Sequence, residues 1–236
     1  ITVTVEEDAA VEKNMVLEPI FGSLKVTVTA GDTGSPMEGA SVEMEQKNGQ
    51  NTFSGSTGAD GVYSFASLPA GDYTLRVTAE DYAPYLEELS IPGSSQLNRS
   101  VTMQKGGTCG PTLYWKLSNK VLTIYGDGEM YDYNGFAPWD SLYGNGQLNQ
   151  IIVEEGTTSL GNYAFRYARA TSVSLPSTLT RIGNYAFEGC SHLTGIGIPA
   201  SVTSIGVSAF KDCSDLETFA WPDVITSISD NAFNGC

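Results

Sequence analysis

Several side chains in this sequence have types and spacings that chemistry could use. His192 is the single histidine. A Ser-His-Asp or Cys-His machine would need it beside a nucleophile, where it would take up the proton. It falls between Ser191 and Leu193, inside a turn, and reads as an exposed turn residue. Cys109 stands alone, whereas Cys190, Cys213 and Cys236 follow one another at steps of 23 residues. Zinc sites gather Cys and His at short spacing, so the constant long step assigns these cysteines to a structural repeat. Asp127, Glu129 and Asp132 lie close together, and Asp60 sits in a glycine-flanked turn. A calcium ion takes about 6–8 oxygen ligands, and neither group forms a full loop motif, so turn and surface roles are favoured. Tyr131, Tyr133, Phe136, Trp139 and Tyr143 form a dense aromatic run. Exposed, it would make a sugar-binding platform. Buried, it would fill a core, and burial is favoured because that is the commoner use of aromatics.

The background composition narrows the function classes. The 236 residues allow one large or two ordinary domains, and 41% hydrophobic with 17% charged residues suits packed cores. Twenty-six glycines against ten prolines indicate many tight turns and β structure. Twelve Lys+Arg against 27 Asp+Glu give a net charge of −15 with no basic cluster. Such a chain has no footprint for nucleic acid and would be repelled by an anionic membrane surface. No apolar run approaches the length that spans a bilayer, and no segment resembles a signal peptide. The chain starts at Ile1 and ends at Cys236 within a repeat, so it reads as a piece of a longer exported protein.

The repeat organises the second half. Ala-Phe recurs at Phe165, Phe187, Phe210 and Phe233, in steps of 22, 23 and 23 residues. Eleven residues before each Phe stands Glu154, Pro176, Pro199 or Pro222, and five before it Leu160, Ile182, Ile205 or Ile228. Three residues after it stands Ala168, Cys190, Cys213 or Cys236. The short runs at 151–153, 173–175, 196–198 and 219–221 alternate, so the first and third residues of each share a face. One unit cannot bury that face alone, but stacked units bury a continuous core with one parallel strand per coil. The Phe, Ile and Cys columns then become ladders. Coil spacing permits disulfides along the Cys column. However, its side chains point in parallel and Ala168 fills the same column, so buried free thiols are favoured and inter-coil disulfides remain the alternative.

Leu193-Thr194-Gly195-Ile196-Gly197-Ile198-Pro199, then Val202 to Gly206, Ala209-Phe210 and Cys213, resemble the BspA-like leucine-rich repeats of bacterial surface proteins across residues 151–236. The resemblance implies a right-handed solenoid with strands on the concave side and irregular or helical turns on the convex side. It also implies a surface location and, for some members, adhesion to host matrix proteins. Residues 106–150 read as the N-terminal cap, with a hairpin of 114–117 and 121–124 turning at Ser118-Asn119-Lys120. The stretch from Gly107 to Trp139 resembles the segment that commonly precedes these repeats.

Residues 21–105 alternate in short runs that predict seven strands and a sandwich. Thr57-Gly58-Ala59-Asp60-Gly61-Val62-Tyr63 and Leu68-Pro69-Ala70-Gly71-Asp72-Tyr73 resemble the carboxypeptidase regulatory-like domain. That domain is a prealbumin-type sandwich related to collagen-adhesin stalk modules, and the resemblance implies a spacer or stalk. Stalk modules of that type can carry a Lys–Asn isopeptide bond, here Lys25 with Asn98. Lys25 is out of phase with Leu24, Val26 and Val28, so it is expected to face solvent unbonded. Residues 87–104, shifted by 86 positions, match the N-terminus without a gap, Val3 meeting Leu89 and Lys13 meeting Arg99, and residues 1–20 are read on that basis. They are therefore expected to end a preceding sandwich, with a free tail or an extra strand pair as alternatives.

The expected architecture is mainly β: a seven-stranded prealbumin-like sandwich, then a β cap, then a right-handed solenoid of four units. No cofactor and no catalytic residue is indicated. The expected role is an extracellular bacterial binding protein whose partner is a host matrix or cell-surface protein. The alternatives are a glycan-binding accessory module and a purely structural stalk. The candidate partner-binding positions are the outward strand residues Ile152, Ser174, Gly197 and Ala220, with Ser172, Gly195 and Thr218 beside them. Concave surfaces are where solenoids usually bind.

Overall fold

The structure, a computed structural model, describes residues 20–47, 49, 51–141, 148–220, 222–225 and 227–236. The expected end of a preceding sandwich lies outside these, Ile20 apart. Among the described residues there is no α-helix, so the turns of the solenoid are irregular rather than helical.

The first half is built from β1 (Phe21–Ala30), β2 (Ser41–Gln46), β3 (Thr52–Ser56), β4 (Val62–Pro69), β5 (Gly71–Thr78), β6 (Tyr85–Ile91) and β7 (Gln96–Met103). They form two sheets, ordered β4-β1-β7 and β3-β2-β5-β6. β1 runs antiparallel to β4 and parallel to β7. The period of two decides what is inside. Leu24, Val26 and Val28 of β1 are buried against Val42 and Met44 of β2 and Tyr73, Leu75 and Val77 of β5. Lys25 points the other way and is exposed, in register with exposed Asn98, where an isopeptide bond would have no dry interior.

The second half begins with β8 (Lys105–Thr108), β9 (Leu113–Ser118), β10 (Val121–Gly126) and β11 (Gly128–Glu129). β9 and β10 form the predicted hairpin, with Asn119 and Lys120 at φ 50° and 65°. β8 pairs with β9 and was not legible as a strand in the glycine-rich 106–110. The coils supply β12 (Gln150–Val153), β13 (Thr157–Leu160), β14 (Ser172–Ser174), β15 (Arg181–Ile182), β16 (Gly195–Gly197), β17 (Ser204–Ile205) and β18 (Thr218–Ala220). A long sheet runs β14-β12-β10-β9-β8, β16 pairs with β18, and a second coil-to-coil sheet runs β11-β13-β15-β17. The hydrophobic columns face inward between these sheets as one core from Cys109 to Ile225.

The four Phe positions form the expected ladder. Ring centroids are 5.4, 5.2 and 5.3 Å apart from Phe165 to Phe187, Phe210 and Phe233. Phe165, Phe187 and Phe210 are fully buried, whereas Phe233 is partly buried. Leu160, Ile182 and Ile205 are buried, but Ile228 is 59% exposed. That departs from the expected column: Ile228 lies on the last of the described coils and, among the described residues, has no following coil packed over it.

The Ala-Phe turns carry a ladder that the sequence reading missed. In each coil the residues two before and two after the Phe are left-handed: Tyr163, Tyr185, Ser208 and Asn231 at φ 59°, 57°, 54° and 56°, and Tyr167, Gly189, Asp212 and Gly235 at 59°, 70°, 57° and 82°. For L-residues this costs about 1–2 kcal/mol each. The alternation of left- and right-handed residues aims every second N–H at the next coil. Tyr163, Phe165 and Tyr167 donate to the carbonyls of Asn184, Ala186 and Glu188 at 2.9, 2.7 and 2.8 Å, and the next two coils repeat the pattern. The backbone bonds offset the strain. At the start of the stack the cap supplies the donors: Tyr133 N–H bonds Asn162 O at 3.0 Å and Trp139 Nε1–H bonds Ala164 O at 2.8 Å. Trp139 also stacks on Phe165 at 5.6 Å, acting as an additional rung.

Candidate functional site

The candidate binding face is the outward surface of the strand sheets. Ile151 and Val153 are buried, so Ile152 between them points outward and is half-buried. Register aligns Thr123, Ile152 and Ser174 in one row, and Val121, Gln150 and Ser172 in another. Farther along, Gly195 pairs with Thr218 and Gly197 with Ala220. Ser172, Ser174, Gly197, Thr218 and Ala220 are exposed and Gly195 is half-buried. A Cβ added at Gly197 would meet nothing within 4 Å. A shallow hollow of about 430 Å³ lies over Gly195, Gly197, Thr218 and Ala220, with Ile196 and Phe219 beneath. The expected positions thus fall on one face. None of them is charged, in a chain of net charge −15.

The other chemistry-bearing residues have local structural roles. Each thiol of the Cys column donates to the backbone of the preceding coil: Cys190 Sγ to Phe165 O and Cys213 Sγ to Phe187 O at 3.1 Å each, and Cys236 Sγ to Phe210 O at 3.0 Å. The three are free cysteines, which decides against the disulfide alternative. Burial pushes the Cys190 thiol well above its usual range and that of Cys109, in the cap core, up to about 12. These thiols are therefore held protonated and unreactive. His192 is exposed, its Nδ1 3.0 Å from Ser191 Oγ. Asp132 Oδ1 accepts the Asn162 N–H at 2.8 Å, and Asp60 Oδ1 accepts that of Val62 at 3.0 Å. Among the described residues no three His, Cys, Asp or Glu side chains come together as metal ligands.

The aromatic run divides, which corrects the expectation of a common core. Trp139 is fully buried, packed edge-on by Trp115 and Tyr133, and desolvation pushes the Tyr133 phenol far up. Phe136 is 83% exposed and Tyr131 49% exposed, while Tyr143 lies outside the described residues. One aromatic fits over the Phe165 ring and Trp139 takes that place. Phe136 follows Gly135, whose φ of 101° turns the loop outward.

A charged ladder beside the Phe column was also missed. Arg166, Glu188 and Lys211 each follow a ladder Phe. Glu188, its side chain 6% exposed, accepts from Arg166 Nε at 2.7 Å and Lys211 Nζ at 3.0 Å. The Glu188 and Asp212 carboxylates hold the Lys211 ammonium above its usual range. Alternating sign at one repeat position was the available signal.

The BspA type leucine-rich repeat region matches residues 140–236 in six copies, and the carboxypeptidase regulatory-like domain matches residues 23–104. The chain joins a carboxypeptidase regulatory-like domain to BspA-type repeats. No curated protein sequence matches it. Among solved structures, a leucine rich cell surface protein from Faecalibacterium prausnitzii is 25% identical with a TM-score of 0.40, over 59% of this chain and 39% of that one. A leucine-rich repeat protein from Eubacterium ventriosum is 22% identical with a TM-score of 0.36, over 55% and 35%. GBS52, the minor pilin of Streptococcus agalactiae, is 21% identical with a TM-score of 0.34, over 39% and 48%. The chain spans less than half the length of each of these.

Proposed function

We propose that this chain is a non-catalytic part of an extracellular bacterial surface protein, in which the sandwich holds the repeat solenoid and the outward sheet face binds a protein partner. The observation that carries this reading is the character of that face. Ser172, Ser174, Gly197, Thr218 and Ala220 are exposed yet small and uncharged, whereas soluble surfaces usually mix charges of both signs. Small side chains let a partner's backbone approach closely. The other polar groups of the solenoid are largely engaged in coil-to-coil bonds, such as Thr180 Oγ1 to Thr158 O and Asn162 Oδ1 from Asn184 N. The family resemblance, whose members include surface adhesins, supports the extracellular role.

A glycan-binding reading is favoured by one specific observation, the exposed rings of Phe136, Tyr131 and Tyr167. The purified chain on paired arrays of host matrix proteins and glycans separates the readings. A protein hit weakened by Ser174→Arg and Gly197→Arg supports the sheet face. A glycan hit lost in Phe136→Ala or Tyr131→Ala transfers the function to the aromatics. Silence on both arrays overturns binding by this chain and leaves a structural stalk.

A further inference from the structure

The two domains meet without a flexible linker. Only Gln104 separates β7 of the sandwich from β8 of the cap. The sandwich loop 79–84 clamps β8: Ala83 N–H bonds Gln104 O at 2.9 Å and Gly106 N–H bonds Asp81 O at 3.0 Å. Asp32 receives Tyr82 Oη–H at 3.1 Å and Lys105 Nζ at 3.4 Å. A Cβ at Gly106 would come within 2.1 Å of Trp115 O and 2.7 Å of Ala83 Cβ, so the contact admits only glycine. The sandwich therefore stands as a fixed wall at one end of the cap sheet.

A cavity of about 300 Å³ occupies the corner, with Pro84, Leu86 and Met103 on the sandwich side and Lys116 and Tyr125 on the cap side. Its walls are mainly apolar, and Leu86 is 61% exposed. Lys116 and Tyr125 alternate with buried Trp115 and Ile124, so they lie on the outward face that continues to Ile152 and Ser174. Lys116 Nζ rests over the Tyr125 ring, 4.7 Å from its centroid. Among the described residues it forms no ion pair. Two carboxylates of the sandwich side are already engaged: Glu87 by Arg99 Nε at 3.1 Å and by Tyr85 Oη–H at 3.0 Å, and Asp32 by Lys105.

We propose that this corner is a binding pocket for an apolar group carrying a single carboxylate, the apolar body lying against Pro84 and Leu86 and the carboxylate paired with Lys116. Ligand pockets favour domain interfaces, apolar walls and few polar groups, with volumes from about 300 Å³ upward. A cation parked on a ring gains more from a carboxylate in a partly desolvated corner than from the ring alone. One carboxylate is the limit, because a chain of net charge −15 repels more highly charged anions. The free acid and the carboxyl end of a peptide share this chemistry. The pocket requires nothing of the sheet face beyond it.

The test is titration of the ¹⁵N-labelled whole chain with 3-phenylpropionate, its neutral amide, and acetyl-Gly-Gly-Phe with a free or an amidated carboxyl end. Saturable shifts at Leu86, Gln104 and Lys116 with the acids, and about tenfold weaker binding of the amides, are expected. Lys116→Gln, at a half-buried residue of the outward face, is expected to weaken the acids about tenfold, Lys116→Arg to restore them, and Leu86→Ser to weaken acid and amide alike. The free acid binding more tightly than the peptide assigns a small-molecule ligand, and the reverse order assigns a peptide terminus. Shifts elsewhere, no saturation at millimolar concentration, or equal binding of acid and amide overturn the pocket. Loss of partner binding in Gly197→Arg with unchanged 3-phenylpropionate binding separates this site from the sheet face.

Discussion

Replacing Phe187 by Ala removes the middle of the ladder. Its ring is fully buried, with centroids 5.4 Å from Phe165 and 5.2 Å from Phe210. Its N–H bonds Ala209 O at 2.7 Å, and its carbonyl accepts the Cys213 thiol at 3.1 Å, so the surrounding backbone is held from both sides and cannot collapse into the space. A buried Phe→Ala change costs about 3–5 kcal/mol, and the poor collapse places this one near the upper end. The expected loss is ~4 kcal/mol, a large share of the ~5–15 kcal/mol typical of a domain. Phe233 makes a comparable contact with Phe210 at 5.3 Å but is only partly buried, so Phe233→Ala is expected to cost about half as much. Trp115, Trp139 and Trp221 all lie in the solenoid half, so tryptophan fluorescence in a urea titration reports that half alone. The midpoint is expected to fall much further for Phe187→Ala than for Phe233→Ala. Equal shifts would refute a core built rung on rung.

Four further tests are more local. Trp139→Phe keeps a ring over Phe165 but orphans the Ala164 carbonyl, and a loss of about 1–3 kcal/mol in the same titration is expected. Gly106→Ala is expected to loosen the joint between the domains, read as a red-shifted Trp115 emission and new proteolytic cleavage near residue 105. Thiol labelling at pH 8 is expected at Cys236 and not at Cys109 or Cys190 until unfolding. The Cys109 thiol, raised from 9.0 to about 12 by burial, carries a pH consequence. The unfolded thiol ionises first, so its contribution to stability is complete below pH 9 and is lost as pH rises towards 12. A fluorescence-detected stability profile flat to pH 8 and falling above pH 9 is the expected result.

The fold was legible because its determinants are local and repeated. Columns at 22–23 residues marked the Phe ladder, and period-two alternation marked both sheets and set Lys25 outward. What was not legible depends on backbone direction. Tyr163, Tyr167 and Tyr185 give no sign in their side chains that their backbones are left-handed. That conformation is visible only once Gly189, Asp212 and Asn231 are seen in the same columns of other coils. The thiol-to-carbonyl bonds of Cys190 and Cys213 explain a Cys column that packing alone would fill with Ala, as at Ala168. Phe136 and Trp139 are of one chemical kind, and only the single slot over Phe165 decides which is buried. At the candidate site the sequence located the outward residues, because alternation fixes orientation. The corner at Lys116 needs the docking of the sandwich on the cap, a long-range contact with no periodic signature.

The most direct measurement is the affinity of an array-identified protein partner for the wild-type chain, for Gly197→Arg on the sheet face and for Asn234→Arg on the turn side, with folding verified by fluorescence. Binding through the sheet face predicts at least a tenfold loss for Gly197→Arg, about 1.4 kcal/mol, and none for Asn234→Arg. Unchanged affinity in Gly197→Arg, or an equal loss in both variants, would contradict it.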